Sequence, residues 1–265
     1  MINPKKLLIT ISLAIVCIFC FGTTGCEQPV EEEINVAVEA VINTATMLYA
    51  SAIAYSSTLD LDSLFNNDGC PEISLKGDFG DRTLSISYAD NCTVNSLNLS
   101  GEFFGSWSFA LWEGVSIDLS LDGFTVTDYT VSGYISLHAN ALQGPLLTID
   151  GELTINDQTL SVSDMTATVD LNQTLLEPED DTYTLNGSGT YSFESCKYAV
   201  TFTNVVTGPL CYMPVSGSMI LKRSNRLFPA TIDFGDGTCD MLFTVTVAMR
   251  TVKKNLIDWI EGLNQ

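Results

Sequence analysis

From Ile73 to about Met249 the apolar residues of this chain recur at every second position, with Ser and Thr between them. Val115-Ser-Ile-Asp-Leu-Ser-Leu-Asp122 alternates strictly, as do Phe124-Thr-Val-Thr127 and Leu160-Ser-Val-Ser163. Side chains of an extended strand point alternately to opposite faces, so this pattern demands one buried and one wet face. Gly, Asn and Asp punctuate the runs as turn residues do. The spacing predicts about 12 to 14 strands. The expected fold class is mainly β: a large antiparallel curved sheet or open barrel, packed with an N-terminal helix and a short C-terminal helix.

The helices are read from a change of period. Apolar residues at 34, 38, 41, 42, 48, 49, 52 and 53 predict an amphipathic helix over 34–55, with Glu31 to Glu33 suiting its N-terminal dipole. Val252 to Leu263, with Leu256, Ile257, Trp259, Ile260 and Leu263 on one side, predicts the second. Residues 60–72 read as a loop ending in Cys70-Pro71. The acidic stretch Leu176-Glu-Pro-Glu-Asp-Asp181 reads as a seam or a long hairpin connection.

The chain start is of another kind. Lys5 and Lys6 precede an uninterrupted apolar run from Leu7 to Phe21, about 15 residues and short for a bilayer span of about 20. Gly25 and Cys26 follow. The arrangement resembles the lipobox of bacterial lipoproteins, with Thr23 where those proteins usually carry an aliphatic residue. The resemblance implies that residues 1–25 are a signal peptide and that Cys26 is acylated and becomes the mature N-terminus. Residues 26–33 would then be a tether and 34–265 a single β domain. It implies a cell-envelope address on a membrane. Glu27, in place of the Asp that favours inner-membrane retention in enteric bacteria, leans towards the outer membrane.

After Cys26 the chain carries nine basic against 32 acidic residues, a formal charge of −23, and no Lys or Arg between Arg82 and Lys197. Phosphate binding needs clustered basic side chains, so a nucleic-acid partner is not expected. Export permits disulfides. No CxxC pair occurs after Cys26, which argues against zinc. The single histidine, His138, lies in an alternating run and reads as a strand residue. No G-x-S-x-G elbow is present, and no cofactor is implied.

Two regularities recur. An aliphatic residue, then Ser, Asp or Asn, then Gly precedes a strand at Gly101, Gly123, Gly133, Gly151, Gly187 and Gly217; the irregular gaps exclude a fixed-period solenoid. The segments Cys70 to Cys92 and Cys211 to Cys239 share an early Pro, a mid-way Leu-Lys pair and a closing I-[SD]-[YF]-[AG]-D-[NG] phrase. Read as a diverged duplication, they predict disulfides Cys70–Cys92 and Cys211–Cys239. Cys196 is left as a buried thiol or an alternative partner of Cys211. These cysteine-bounded segments are similar to those of uncharacterised bacterial lipoproteins, over about a third of the chain, and that resemblance implies no activity. Thr231-Ile-Asp-Phe-Gly-Asp-Gly-Thr238 is also similar to the signature of polycystic-kidney-disease-type repeats, without their downstream continuation.

Candidate sites are few. Asp233, Asp236 and Asp240 surround an Asp-Gly turn and are the calcium candidates, although the full D-x-D-x-D-G spacing is missing; Asp78 and Asp81 repeat the pattern. Trp107, Phe109 and Trp112, in the densest aromatic cluster, are candidates for a ligand-contacting strand. The expectation is a lipid-anchored envelope protein without enzymatic activity that binds an apolar ligand or a protein partner. The alternative is an extracellular adhesive or structural β module that binds calcium.

Overall fold

The computed structural model describes residues 30–56, 70–78, 80–111, 113–140, 146–170 and 181–262. Helix α1 (Val30–Ser56) is followed by β1 (Glu72–Asp78), β2 (Asp81–Val94), β3 (Leu97–Ala110), β4 (Gly114–Ser120), β5 (Phe124–Val126), β6 (Tyr129–Ala139), β7 (Leu146–Ile155), β8 (Gln158–Asp170), β9 (Thr182–Phe193), β10 (Cys196–Gly208), β11 (Cys211–Arg223), β12 (Ala230–Asp236), β13 (Leu242–Val247), β14 (Arg250–Asn255) and α2 (Leu256–Gly262). The mainly β, antiparallel architecture with a helix at each end is the one the alternation demanded.

The strands form one 14-stranded sheet in which each pairs with its sequence neighbour, β1 and β14 lying at the ends. β4 and β5 are two lengths of one interrupted strand: both run between β3 and β6, and Leu121 donates its N–H to the Gly133 carbonyl across the break. β8 and β9 pair antiparallel from Thr159 to Asp170, and residues 171–180, which hold most of the acidic stretch between them, lie outside the described residues. Burial alternates along the strands; in β6 the inward residues are Val131, Ile135 and Leu137 and the outward ones Thr130, Ser132 and Tyr134.

The sheet rolls around α1. Tyr88 of β2 donates to the Tyr49 hydroxyl of α1 at 3.3 Å, and the Tyr49 ring lies 5.2 Å from that of Tyr212 in β11. Strands far apart in the sheet thus meet on one helical residue. Asn95, at the β2–β3 turn, accepts from the Tyr212 N–H at 2.8 Å and fixes the overlap.

Two boundaries differ from those read in the sequence. α1 begins at Val30, a turn early, because Glu33 is held by Arg223 at 3.5 Å and Arg226 at 3.3 Å, and Glu31 by Arg250. The tether between Cys26 and the helix shortens accordingly. Residues 252–255 belong to β14, since Val252 pairs with Val245 and Asn255 with Leu242. Asn255 then caps α2, its Oδ1 accepting the N–H of Ile257 at 2.8 Å and of Asp258 at 3.3 Å.

Nor is α1 amphipathic in the one-sided sense. Every residue from Ala40 to Ala54 is buried, about four turns. It is long and apolar enough to cross a bilayer, yet 94% of its most apolar window is buried within the fold. A helix apolar on all sides is a core element. Its hydroxyls are satisfied locally or by the sheet: Ser51 donates to the Met47 carbonyl at 2.8 Å, and Thr46 shares a hydrogen bond with Tyr212 at 2.5 Å.

The recurring glycine phrase marks where the sheet bends. Gly133 has φ 144°, and a Cβ there would stand 2.0 Å from the Glu152 carbonyl oxygen. Gly217 has φ 92°, with the Asn204 carbonyl 2.1 Å from the same point. Between these strands the register slips at β-bulges in β8 and β10, where Asp164 (φ 52°) and Asn204 (φ 47°) adopt left-handed conformations. The N–H groups that leave the ladder there are taken by Asp150 Oδ1 at 2.7 Å and Asn186 Oδ1 at 2.9 Å. Irregularly spaced along the chain, these positions fall beside one another across the sheet and form a crease.

Candidate functional site

A polar cavity lies between the first half of α1 and the turns that close β5–β6 and β7–β8. It measures about 250 Å³ and is lined by Glu39, Ile42, Asp128, Tyr129, Ile155, Asn156 and Gln158. Asn156 and Asp157 both have positive φ, the two-residue turn geometry that suits the twist of a hairpin. That turn places Gln158 over α1. Gln158 donates from Nε2 to Glu39 Oε2 at 2.5 Å and accepts from the Tyr191 hydroxyl, while its backbone carbonyl accepts from Asn43 Nδ2 at 3.2 Å.

Burial holds the Glu39 carboxyl above the usual carboxylate range; the Gln158 hydrogen bond opposes this and the charge of Glu194 adds to it. Tyr129 is pushed up to about 12, by burial first and then by the charges of Glu39 and Asp128. Tyr191 is raised by burial and by Glu39. The recess offers hydrogen-bond acceptors and a negative potential to a small donor. Alternation does not reveal it, because it joins residues 119 apart. One signal was available: Glu39 is a lone acid within the apolar run of α1, on the same helical face as Asn43.

The expected calcium residues do converge. Asp233, Asp236 and Asp240 line one cavity of about 370 Å³, together with Lys253. Each carboxylate, however, already closes its own turn: Asp233 accepts from the Gly235 N–H at 2.9 Å, Asp236 from the Thr238 hydroxyl at 2.9 Å, and Asp240 from the Leu242 N–H at 3.0 Å. Hydrogen bonds from Thr238 hold Asp236 below the usual carboxylate range. Among the described residues no group of three or more Asp, Glu, His or Cys is placed to hold a metal ion. Asp78 and Asp81 pair across the β1–β2 turn.

Of the aromatic candidates, Trp112 lies outside the described residues. Trp107 and Phe109 stack at 6.4 Å on the inner face, and the Arg82 guanidinium sits 5.4 Å from the Trp107 ring. Trp107 is buried, so this strand is core at its inner face, and the exposed aromatic is Phe104. His138 shares a hydrogen bond with Ser116 at 3.0 Å on the outer face.

Both expected disulfides are present: Cys70–Cys92 ties β1 to β2, and Cys211–Cys239 ties the start of β11 to the loop before β13. Cys196, at the start of β10, is disulfide-bonded as well, which replaces the expectation of a free thiol or a bond to Cys211. Its partner lies outside the described residues, as does Cys26.

Comparison with protein-family models, with characterised proteins and with solved structures finds no match to this chain.

Proposed function

We propose that this chain is a lipid-anchored protein of the bacterial cell envelope, held by acylated Cys26, that binds a protein partner through its outer surface and has no enzymatic activity of its own. The observation that carries the reading is the position of α1. Residues Ala40 to Ala54 occupy the interior of the rolled sheet and are buried on every side. An apolar ligand seated inside would have to displace about four turns of helix. Binding at the outer strand faces asks for no such rearrangement. Those faces carry rows of Ser, Thr and acidic residues, such as Asp118, Ser136 and Asp150 across β4, β6 and β7. The one histidine is engaged there with Ser116. If the source organism has two membranes, Glu27 favours the outer one.

Two measurements test this. Cells fed an alkyne-tagged fatty acid should label the protein, and Cys26→Ser should abolish both label and membrane fractionation. Removal of residues 1–25 leaves Cys26 as the one candidate partner for the bonded Cys196, so lipid and disulfide compete for a single sulfur; a mature protein carrying a Cys26–Cys196 disulfide would overturn the anchor. Native mass spectrometry of the protein from its own membrane should give the acylated chain without a retained small apolar molecule. A stoichiometric apolar adduct would overturn the protein-partner reading in favour of a carrier.

A further inference from the structure

At the end of the sheet beside the start of α1, apolar side chains stand on turn tips. Leu227 and Phe228, in the β11–β12 turn, are 84% and 56% exposed, and Met249, in the β13–β14 turn, is wholly exposed. The two turns are neighbours, because Ala230 at the start of β12 pairs with Val247 at the end of β13. The first turn of α1 is fastened to both: Glu33 meets Arg226 at 3.3 Å and Glu31 pairs with Arg250. Val30, 41% exposed, lies in that same helical turn. Turn tips are usually polar, and an apolar cluster on them marks a surface that meets something.

Chain length says what it meets. Only four residue steps separate Cys26 from Val30. Fully extended they reach about 14 Å at most. With an acyl chain on Cys26, the start of α1 can stand no farther than this from the membrane, and the apolar tips beside it face the lipid. Charge agrees. Seven of the nine basic residues after Cys26 lie between Lys197 and Lys254. Lys222, Arg226 and Arg250 flank the tips, the two arginines in ion pairs with Glu33 and Glu31 and with Glu32 beside them, whereas Asp128, Asp157 and Glu194 mark the β5–β6, β7–β8 and β9–β10 turns at the same end. Contact through the β11–β14 side alone brings the cations to anionic headgroups and tilts the acidic turns away.

We propose that this face is a membrane-contact surface: Leu227, Phe228 and Met249 enter the boundary between headgroups and acyl chains, and Lys222, Arg226 and Arg250 lie level with the phosphates. The domain then rests on the membrane in one orientation and does not swing on a leash. The inference takes its distance constraint from the anchor reading of Cys26, and everything else from the described residues.

The test separates the two. Mature chain bearing Cys26→Ser, and therefore no lipid, is floated with vesicles of phosphatidylethanolamine and phosphatidylglycerol. The tips should give weak binding that Leu227→Ser/Phe228→Ser/Met249→Ser lowers by about tenfold or more. Leu111→Ser/Leu210→Ser, at turns of the opposite end, should leave it unchanged. In acylated protein reconstituted into the same vesicles, Phe228→Trp should add blue-shifted emission that brominated lipid quenches. Equal flotation of wild type and the tip variant, dependence on the opposite end, or an unshifted Trp would overturn the contact surface. So would a tip-dependent dimer without flotation, which would assign the patch to a second copy. Tip-dependent flotation with no fatty-acid label on Cys26 would sink the anchor and leave the surface standing. Since the three tip side chains are exposed, an unchanged melting temperature verifies that the variant is folded.

Discussion

Glu39 shows how one side chain can set a cost on the whole fold. Its carboxyl sits half-buried against Gln158, and burial raises its proton affinity above that of an exposed glutamate. A group whose folded pKa is raised stabilises fully below its unfolded value, near pH 4.3, and that stability is lost as pH rises through the folded value. At neutral pH the ionised Glu39 therefore works against folding. Glu39→Gln keeps an oxygen for the Gln158 donor and removes the charge. The variant should melt above wild type around pH 7, with the two curves converging below about pH 4. Melting curves across that range check it; identical curves at neutral pH would mean that the carboxylate is well solvated.

At the scale of elements, the crease governs how the sheet rolls. Strands with a strict ladder from end to end would make a gently twisted surface; bulges and glycines concentrate the bend. At Gly217 a methyl group would press 2.1 Å from the Asn204 carbonyl, on a backbone with φ 92°. Gly217→Ala should cost about 2–4 kcal/mol in urea unfolding. A loss below about 0.5 kcal/mol would show that β10 and β11 can separate there without disturbing the roll. The glycine phrase was visible in the sequence, but its meaning was not. Chain gaps of 22, 10, 18, 36 and 30 between its members hide a spatial alignment that only strand pairing produces. The strands themselves were legible because alternation with Ser and Thr has one physical solution. Both hairpin-region disulfides were legible from the repeated segment around Cys70 and Cys211. That α1 packs on the sheet was legible; that it is buried on every side was not, because its large apolar residues recur at the spacing of a one-sided helix and Ala37, Ala40, Ala45, Ala50 and Ala54 carry little signal of their own. In the fold they are the small residues that let the sheet close in from every direction. The recess at Glu39 stayed hidden for a different reason, since Gln158 reaches it from a distant hairpin.

The whole molecule is a roll whose closure runs through phenols. Tyr88 of β2, Tyr49 of α1 and Tyr212 of β11 form a buried chain from one part of the sheet through the helix to another. Tyr183 hydrogen-bonds Ser56 at the far end of the helix, and Tyr191 engages Gln158. Eight of the nine tyrosines are held above the ordinary phenol value, burial being the largest cause in each. Tyr129, the one beside the acidic recess, is raised to about 12. A raised folded pKa gives a contribution that is complete below the unfolded value, about 10, and disappears as pH climbs through the folded one. Stability should therefore hold to about pH 10 and then fall steeply. Losing any proton from the Tyr88–Tyr49–Tyr212 chain would leave a charge in the core, which costs far more than opening the roll around it. Phenolate absorbance and loss of the sheet signal in circular dichroism should consequently rise together in one transition. Added salt should delay it modestly by screening the excess of 32 acidic over nine basic residues after Cys26. Progressive phenolate formation across several pH units, with the sheet signal intact, would mean that water already reaches the interior and that α1 is a looser core than its burial indicates.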